Sequence, residues 1–408
     1  MRFYPHSVSR TSHTAGRKAP PSLSCRTMSD DIWNIQQKSR RGERLTADDG
    51  RRLFASHDLW TIGQMADAVR GKRHGRAAYY NVNRHFNYSN VCALRCKFCD
   101  FYRKRGEDGA YEFTLDQARE QARAAIPAGA TEIHIVGGLH PYLPFTYYTD
   151  LLRAIREENP ALHIKAFTAV EIVHLARIDK RPNDIEGVLR DLHAAGLGSL
   201  PGGGAEVFDD RVHDEAFKGK IRSDKWLEVH DTAHRMGLMT NATILYGHIE
   251  SHEDRLTHLL MLREAQDRAI HNGWAGRFQT VIPLPFVPGV SELKNLYGPT
   301  GLEDLKMLAI SRLMLDNFDH VKAFWIMQTP ELTQLSLSWG VDDVDGTVVW
   351  YDITKVGGAG THQERSATDL RRLILEAGFT PVERDTLYRR IERDGSRWRV
   401  AKSLEQFA

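Results

Sequence analysis

From Asn81 onward the chain repeats one pattern: a short apolar run, a glycine or polar turn, then an amphipathic stretch long enough for a helix. The apolar runs predict strands at 82–88, 132–136, 163–168, 197–200, 240–246, 278–284 and 321–327. Helix signals lie between them. Thr114 with Gln117 makes a capping box ahead of Ala118, Ala122, Ala125 and Ile126, and Pro127 with Gly129 stops that helix. Tyr148, Leu151, Leu152 and Ile155 mark one face of the next helix at i, i+3, i+4 and i+7. Thr300 with Glu303 repeats the capping pattern before Leu305, Leu308 and Ala309. Upstream, Leu45, Leu53, Leu59, Ile62 and Met65 supply an apolar stripe to a charged, helical segment, and a last helix is expected at 367–377.

Six or seven such βα units fit a full or partial TIM-like (β/α) barrel, an α/β fold, better than an open sheet. The expected organisation is a disordered or mis-started extension (1–28), an N-terminal helical layer (29–80), the barrel (81–335), and a C-terminal extension completing or capping it (336–408). The first segment carries Arg2, Arg10, Arg17, Lys18 and Arg26 without an acid, in the manner of a transit peptide, but Met28 before Ser-Asp-Asp-Ile-Trp is the favoured start.

Composition narrows the partners. The 55 lysines and arginines nearly balance the 53 acids, so no global positive field favours nucleic acid or an anionic membrane, and a small molecule is the expected partner. No apolar run reaches the roughly 18–20 residues of a membrane span, and no signal-peptide h-region follows Met1. Of four cysteines, three fall within Cys92–Cys99, a spacing suited to a metal site rather than a disulfide framework; a reducing cytoplasm follows as the expected compartment.

Those three stand as Cys92-x3-Cys96-x2-Cys99, with Phe98 directly before the last. Three thiolates can ligate three irons of a [4Fe-4S] cubane and leave the fourth open, whereas an electron-transfer cluster takes four protein ligands. A structural zinc site would need a fourth ligand at paired spacing, and only His85, on an expected strand, is near enough to consider. Cys25, in the arm, reads as incidental.

This cysteine spacing after a first barrel strand resembles the radical SAM superfamily. The resemblance implies a barrel of the radical SAM type and S-adenosylmethionine (SAM) chelated to the open iron. It also implies reductive cleavage to methionine and a 5′-deoxyadenosyl radical. Further words are similar to the aminodeoxyfutalosine synthase family: Gly137-Gly-Leu-His-Pro141, Lys165-Ala-Phe-Thr-Ala-Val-Glu-Ile172, Leu200-Pro-Gly-Gly-Gly-Ala-Glu206, Asn241-Ala-Thr-Ile-Leu-Tyr-Gly-His248 and Ser311-Arg-Leu-Met-Leu-Asp-Asn-Phe318. The likeness extends to cyclic dehypoxanthine futalosine synthases and deazaflavin-forming FO synthases. It implies that SAM is consumed as co-substrate. By the same implication the radical would add to 3-[(1-carboxyvinyl)oxy]benzoate with loss of bicarbonate, giving 6-amino-6-deoxyfutalosine for menaquinone biosynthesis. Flavodoxin or ferredoxin is the implied electron donor. The competing readings are a sister enzyme that abstracts hydrogen and cyclises a futalosine derivative, an FO-synthase-like enzyme, and a non-catalytic iron-sulfur or zinc protein.

The informative residues fall at strand ends, where barrel chemistry sits. Cys92, Cys96 and Cys99 are the expected metal ligands. Phe98, Gly137, Gly138, Glu171 and Glu206 are the expected cofactor contacts: bare glycine backbone for the methionyl ammonium, and Glu171 for ribose hydroxyls or that ammonium, unless it merely caps the following helix. His140, Lys165 and His248 are the catalytic candidates, joined by Arg84 for the two substrate carboxylates. The prolines of Val281-Ile-Pro-Leu-Pro-Phe286 could free backbone groups for adenine. Val287 stands where the resemblance leads one to expect a histidine, and Val356-Gly-Gly-Ala359 departs from the family wording.

Overall fold

Along the first barrel strands the usual assignment of faces is reversed: Ile133, Ile135 and Ile164 join the apolar core with Ala118, Ala122, Leu151 and Leu152, while His134 and Lys165 line a central cavity. Period-two alternation therefore sends the apolar side chains outward onto the helices and the polar ones inward. The computed structural model describes residues 26–289, 291–348 and 364–402. Cys25, nearly all of the expected 1–28 extension, and residues 356–359 lie outside the described residues.

The strands in chain order are β1 (Ala77–Asn81), β2 (Asn83–Phe86), β3 (Glu132–Ile135), β4 (His163–Ala166), β5 (Ser199–Leu200), β6 (Met239–Tyr246), β7 (Phe278–Pro285), β8 (His320–Val321), β9 (Asp343–Gly346), β10 (Thr380–Glu383), β11 (Ile391–Asp394) and β12 (Arg397–Val400). β2 to β8 form one seven-stranded parallel sheet in sequential order, with helices between the strands. This is the curled TIM-like sheet that the βα repeat predicts. β9 joins its two edges: Lys322 bridges Asp343, and Thr347 exchanges hydrogen bonds with Asn83 at 2.8 and 3.0 Å. β9 also pairs with β1, which pairs with β10 on its other side.

Most helix signals act as expected. Thr114 and Gln117 make both capping-box bonds, and the helix they start ends at Ala125. Tyr148, Leu151, Leu152 and Ile155 are fully buried. Thr300 accepts from Glu303 N, and the last helix runs Ala367–Glu376.

Three elements differ from the expectation. The 29–80 segment holds helices Arg26–Arg41, Ala47–Ala55 and Leu59–His74 but ends in a strand, β1, which exists because β9 and β10 flank it. The 197–200 run pairs only at Ser199 and Leu200. The 321–327 run leaves the sheet at Val321, because Asp343 O captures Ala323 N at 2.9 Å and Gln328 Oε1 accepts from Phe324 N at 3.1 Å, starting the short helix Trp325–Gln328. Among the described residues, no helix is long and apolar enough to cross a membrane.

Candidate active site

A cavity of about 340 Å3 opens at the C-terminal ends of β2 to β8, within the range of small-molecule sites, roughly 300–1,000 Å3. Its mouth is built from the loops after the strands and its floor from strand residues. Cys92, Cys96 and Cys99 all line it, as do Phe98, Gly137 and Gly138.

The cysteine loop is shaped by its neighbours. Ala93 N donates to Leu139 O at 2.8 Å and Gly138 N to Ser89 O at 2.8 Å, so the segment after β3 runs against the loop like an added strand. That contact explains both glycines. A Cβ on Gly138 would stand 2.3 Å from Val91 O, and one on Gly137 would stand 2.5 Å from the Tyr88 ring. The thiol sulfur of Cys92 accepts from Leu94 N and Leu139 N, each at 3.4 Å, the kind of contact that tunes a ligated thiolate. Burial pushes the Cys96 thiol up to about 12, which leaves it inert as a free nucleophile. None of the three is in a disulfide, and no fourth cysteine stands among the described residues. The donor set fits a cluster held by three thiolates with one iron open. His85, the conceivable zinc partner, lies within β2 on the cavity wall.

Glu171 is buried, 3% exposed, and locks two loops together. One carboxylate oxygen accepts from Thr168 N and Thr168 Oγ1, both at 2.8 Å, closing the capping box of helix Ala169–Ile178. The other accepts from Gly137 N at 3.0 Å and Tyr88 Oη at 2.9 Å. It is thus a cap, but one that also fixes the glycine segment beside the cysteines. Burial pushes its pKa up to about 7, against the four hydrogen bonds, which pull it down.

Glu206 adopts φ +48° and forms an ion pair with Lys220, whose ammonium lies 5.0 Å from the centroid of the Phe98 ring. Lys220 also lines the cavity, and against the lowering effect of burial Glu206, with Cys96 and Cys99 contributing less, raises its pKa. Nothing in the Lys218-Gly-Lys220 wording marks it out, since only folding brings that loop to the cysteines.

The floor is charged. His85, His134 and Lys165 occupy one register row across β2, β3 and β4. Lys165 Nζ lies 2.6 Å from Glu132 Oε1, and Lys322 Nζ lies 3.0 Å from Asp345 Oδ1, all four side chains buried. Burial lowers the pKa of both histidines, to about 4 for His85, so they are neutral imidazoles. Neither Lys322 nor Asp345 was among the sequence's site candidates. The available signal was a lysine inside the apolar run His320-Val-Lys-Ala-Phe324.

Two catalytic candidates fall outside the cavity lining. His140 Nδ1 accepts from Tyr142 N and Leu143 N at 3.2 and 3.0 Å, and its Nε2 lies 2.9 Å from Glu112 Oε1, so it pins its own loop. His248 Nε2 donates to Leu245 O at 3.1 Å, with Nδ1 3.3 Å from a Glu250 that Arg255 also holds. Arg84 lies on the face of β2 opposite His85 and does not line the cavity either. Val287 does, at the rim, 41% exposed. Pro283 and Pro285 remain in register with Ile244 and Tyr246, tolerated because β8 ends at Val321 and leaves their other edge without a ladder. Elsewhere, His74, His320 and Asp342 bring ligand atoms within 4.8 Å of one another, but Arg312 pairs with Asp342, making this an ion-pair junction rather than a metal centre.

Residues 86–262 match the model of the radical SAM superfamily, and residues 275–395 match the CofH/MqnC C-terminal region. The chain is 43% identical to the aminodeoxyfutalosine synthase of Thermus thermophilus over 88% of this chain and 95% of that one. It is 42% identical to the Streptomyces coelicolor enzyme of the same name, over 87% and 92%. A 5-amino-6-(D-ribitylamino)uracil--L-tyrosine 4-hydroxyphenyl transferase from Archaeoglobus fulgidus is 36% identical over 80% and 92%. Among solved structures, methylornithine synthase superposes with a TM-score of 0.66 at 18% identity, covering 85% of this chain and 97% of that one, a likeness of fold.

Proposed function

The chain belongs to the radical SAM superfamily, in the family of the aminodeoxyfutalosine synthases, and on that premise we propose that it joins the adenosyl group of SAM to 3-[(1-carboxyvinyl)oxy]benzoate. The products are 6-amino-6-deoxyfutalosine, methionine and bicarbonate, and SAM is consumed. The observation that carries this reading is the convergence of Cys92, Cys96 and Cys99 on a cavity whose floor holds two buried lysine–carboxylate pairs. With a [4Fe-4S] cluster on those thiolates, the chemistry supplied is one-electron reductive cleavage of the S–C5′ bond of SAM.

The chain's own residues do the rest. The backbone of Gly137 and Gly138 offers SAM an approach free of side chains, held in place by Glu171. Lys220, neutralised by Glu206, sets a buried ammonium beside the cysteine loop, where an anionic carboxylate of SAM can meet it. Leu245, Ile282, Leu284 and Phe286 wall the cavity with apolar groups that exclude water from a carbon radical. Lys165, partnered by Glu132, is the cation for a substrate carboxylate. His140 and His248 support loops. Arg95 and Lys97 are exposed on the cysteine loop, a positive rim suited to an acidic one-electron donor such as flavodoxin or ferredoxin.

The test is anaerobic reconstitution followed by dithionite, SAM and the enol-ether benzoate, with the adenosyl product identified by mass. A benzoate–adenosyl adduct lacking one carboxylate is the expected result. Free 5′-deoxyadenosine that rises only with a futalosine-type substrate would make the chain a cyclising sister enzyme instead, and a loaded cluster that never cleaves SAM would end the enzymatic reading.

A further inference from the structure

The cavity floor holds one more cation than the family words point to. Lys322 follows β8, Asp345 lies in β9, and the two meet where β9 joins the sheet edges. Asp345 has φ +66°, a left-handed conformation uncommon outside glycine, and the β1–β9 register shifts beside it. The irregularity turns its carboxylate into the cavity, where it also receives no capping duty: its Oδ1 accepts from Lys322. Strain kept at a cavity wall points to use.

Each of the two buried ammoniums has one carboxylate partner, Lys165 with Glu132 and Lys322 with Asp345. Each ammonium has three donors, and the carboxylate pairing takes one. The remaining donors suit a third carboxylate brought in by a ligand. Phe324, Ile282 and Met327 line the same cavity as Lys322 with apolar side chains that can pack against a ring. A carboxylate-binding floor next to a ring-binding wall describes an aromatic carboxylate.

The substrate carries two carboxylates with different fates. The one on the enol ether departs as bicarbonate and sits next to the carbon that C5′ attacks, so it belongs near the cysteine loop. The aryl carboxylate survives into the product and is free to serve as a handle. We propose that Lys322, oriented by Asp345, binds the aryl carboxylate together with Lys165, so that the benzoate points to the floor and the enol ether to the cluster. This rests on the reading above.

The test compares the enol-ether benzoate with its uncharged aryl amide, first by equilibrium binding to the reconstituted wild-type enzyme without reductant. The benzoate is expected to bind roughly 10- to 100-fold tighter, the range of a charge-assisted hydrogen-bond contact. Equal affinity for the two would overturn the proposal without any variant. The double variant Lys322→Met/Asp345→Asn removes the pair together, so no lone carboxylate stays buried. It is expected to lose most of the discrimination, with KM for the benzoate rising about as far, whereas Lys322→Arg keeps the preference. A double variant with wild-type iron content that still discriminates as wild type does would also overturn the proposal. If the wild-type enzyme makes adduct equally well from both compounds, the floor assignment fails and the synthase reading stands; if it makes none from either, both fall.

Discussion

Replacing Gly138 by alanine tests whether the cysteine loop is held as described. The added Cβ would stand 2.3 Å from Val91 O and 2.7 Å from Val91 C, both backbone atoms that no rotamer change can move. Restoring ordinary contact at 3.4 Å displaces the loop by about 1.1 Å (3.4 less 2.3). That shift strains the Gly138 N to Ser89 O and Ala93 N to Leu139 O bonds, each 2.8 Å, and the Leu139 N contact to Cys92 Sγ at 3.4 Å. Overpacking costs about 1–3 kcal/mol and a weakened backbone bond about 1 kcal/mol, so a loss of roughly 3 kcal/mol is expected. Urea unfolding of the apoprotein reads the stability, and iron and sulfide per chain after reconstitution read the loop. Gly203→Ala is the control, because its Cβ meets only the Thr168 methyl, at 3.1 Å. A Gly138→Ala protein within about 0.5 kcal/mol of wild type that also takes up full iron would refute the packing argument.

Alanine at Cys92, Cys96 or Cys99 should leave a folded protein that neither assembles the cluster nor cleaves SAM; retained cleavage in any one of them contradicts the three-thiolate assignment. The Glu171 carboxyl sits at about 7 in the fold against an ordinary 4.5, so its contribution is complete below about pH 4.5 and is lost as pH rises through 7, roughly 3 kcal/mol in all. Urea midpoints measured from pH 5 to 8 should fall in the wild type and flatten in Glu171→Gln; parallel curves would sink this. Arg312→Leu leaves Asp342, fully buried, without its guanidinium and should cost about 3–5 kcal/mol, and a loss below about 1 kcal/mol by chemical denaturation would show the junction matters little.

Much of the site was legible because its signals are local. Cys92, Cys96 and Cys99 share one loop, so spacing placed them together, and Gly137 and Gly138, after a recognisable strand, joined them through the resemblance to the radical SAM superfamily. The physical reason for the glycines was not legible: they admit the cysteine loop, whose Val91 O would lie 2.3 Å from a Cβ on Gly138, a closeness that no sequence interval encodes. His140 and His248 were drawn in by their strand-end positions, yet each imidazole is consumed by its own loop, His140 on the amides of Tyr142 and Leu143 and His248 on Leu245 O. Strand-end position selects a neighbourhood, and local hydrogen bonds then decide which way a ring points.

The sequence by itself determined the barrel class, the βα order, the capped helices and the cysteine loop, because periodicity, caps and short-range spacing act within a few residues of one another. Only the tertiary structure decided that β1 is a strand, that β9 joins the sheet edges, that Lys220 stands beside the cysteines, and that Lys322 with Asp345 joins Lys165 and Glu132 in the floor. Those contacts join residues far apart in the chain. A buried ammonium is tolerated only where folding delivers its carboxylate, and that pairing is a property of the curled sheet as a whole rather than of any segment of it.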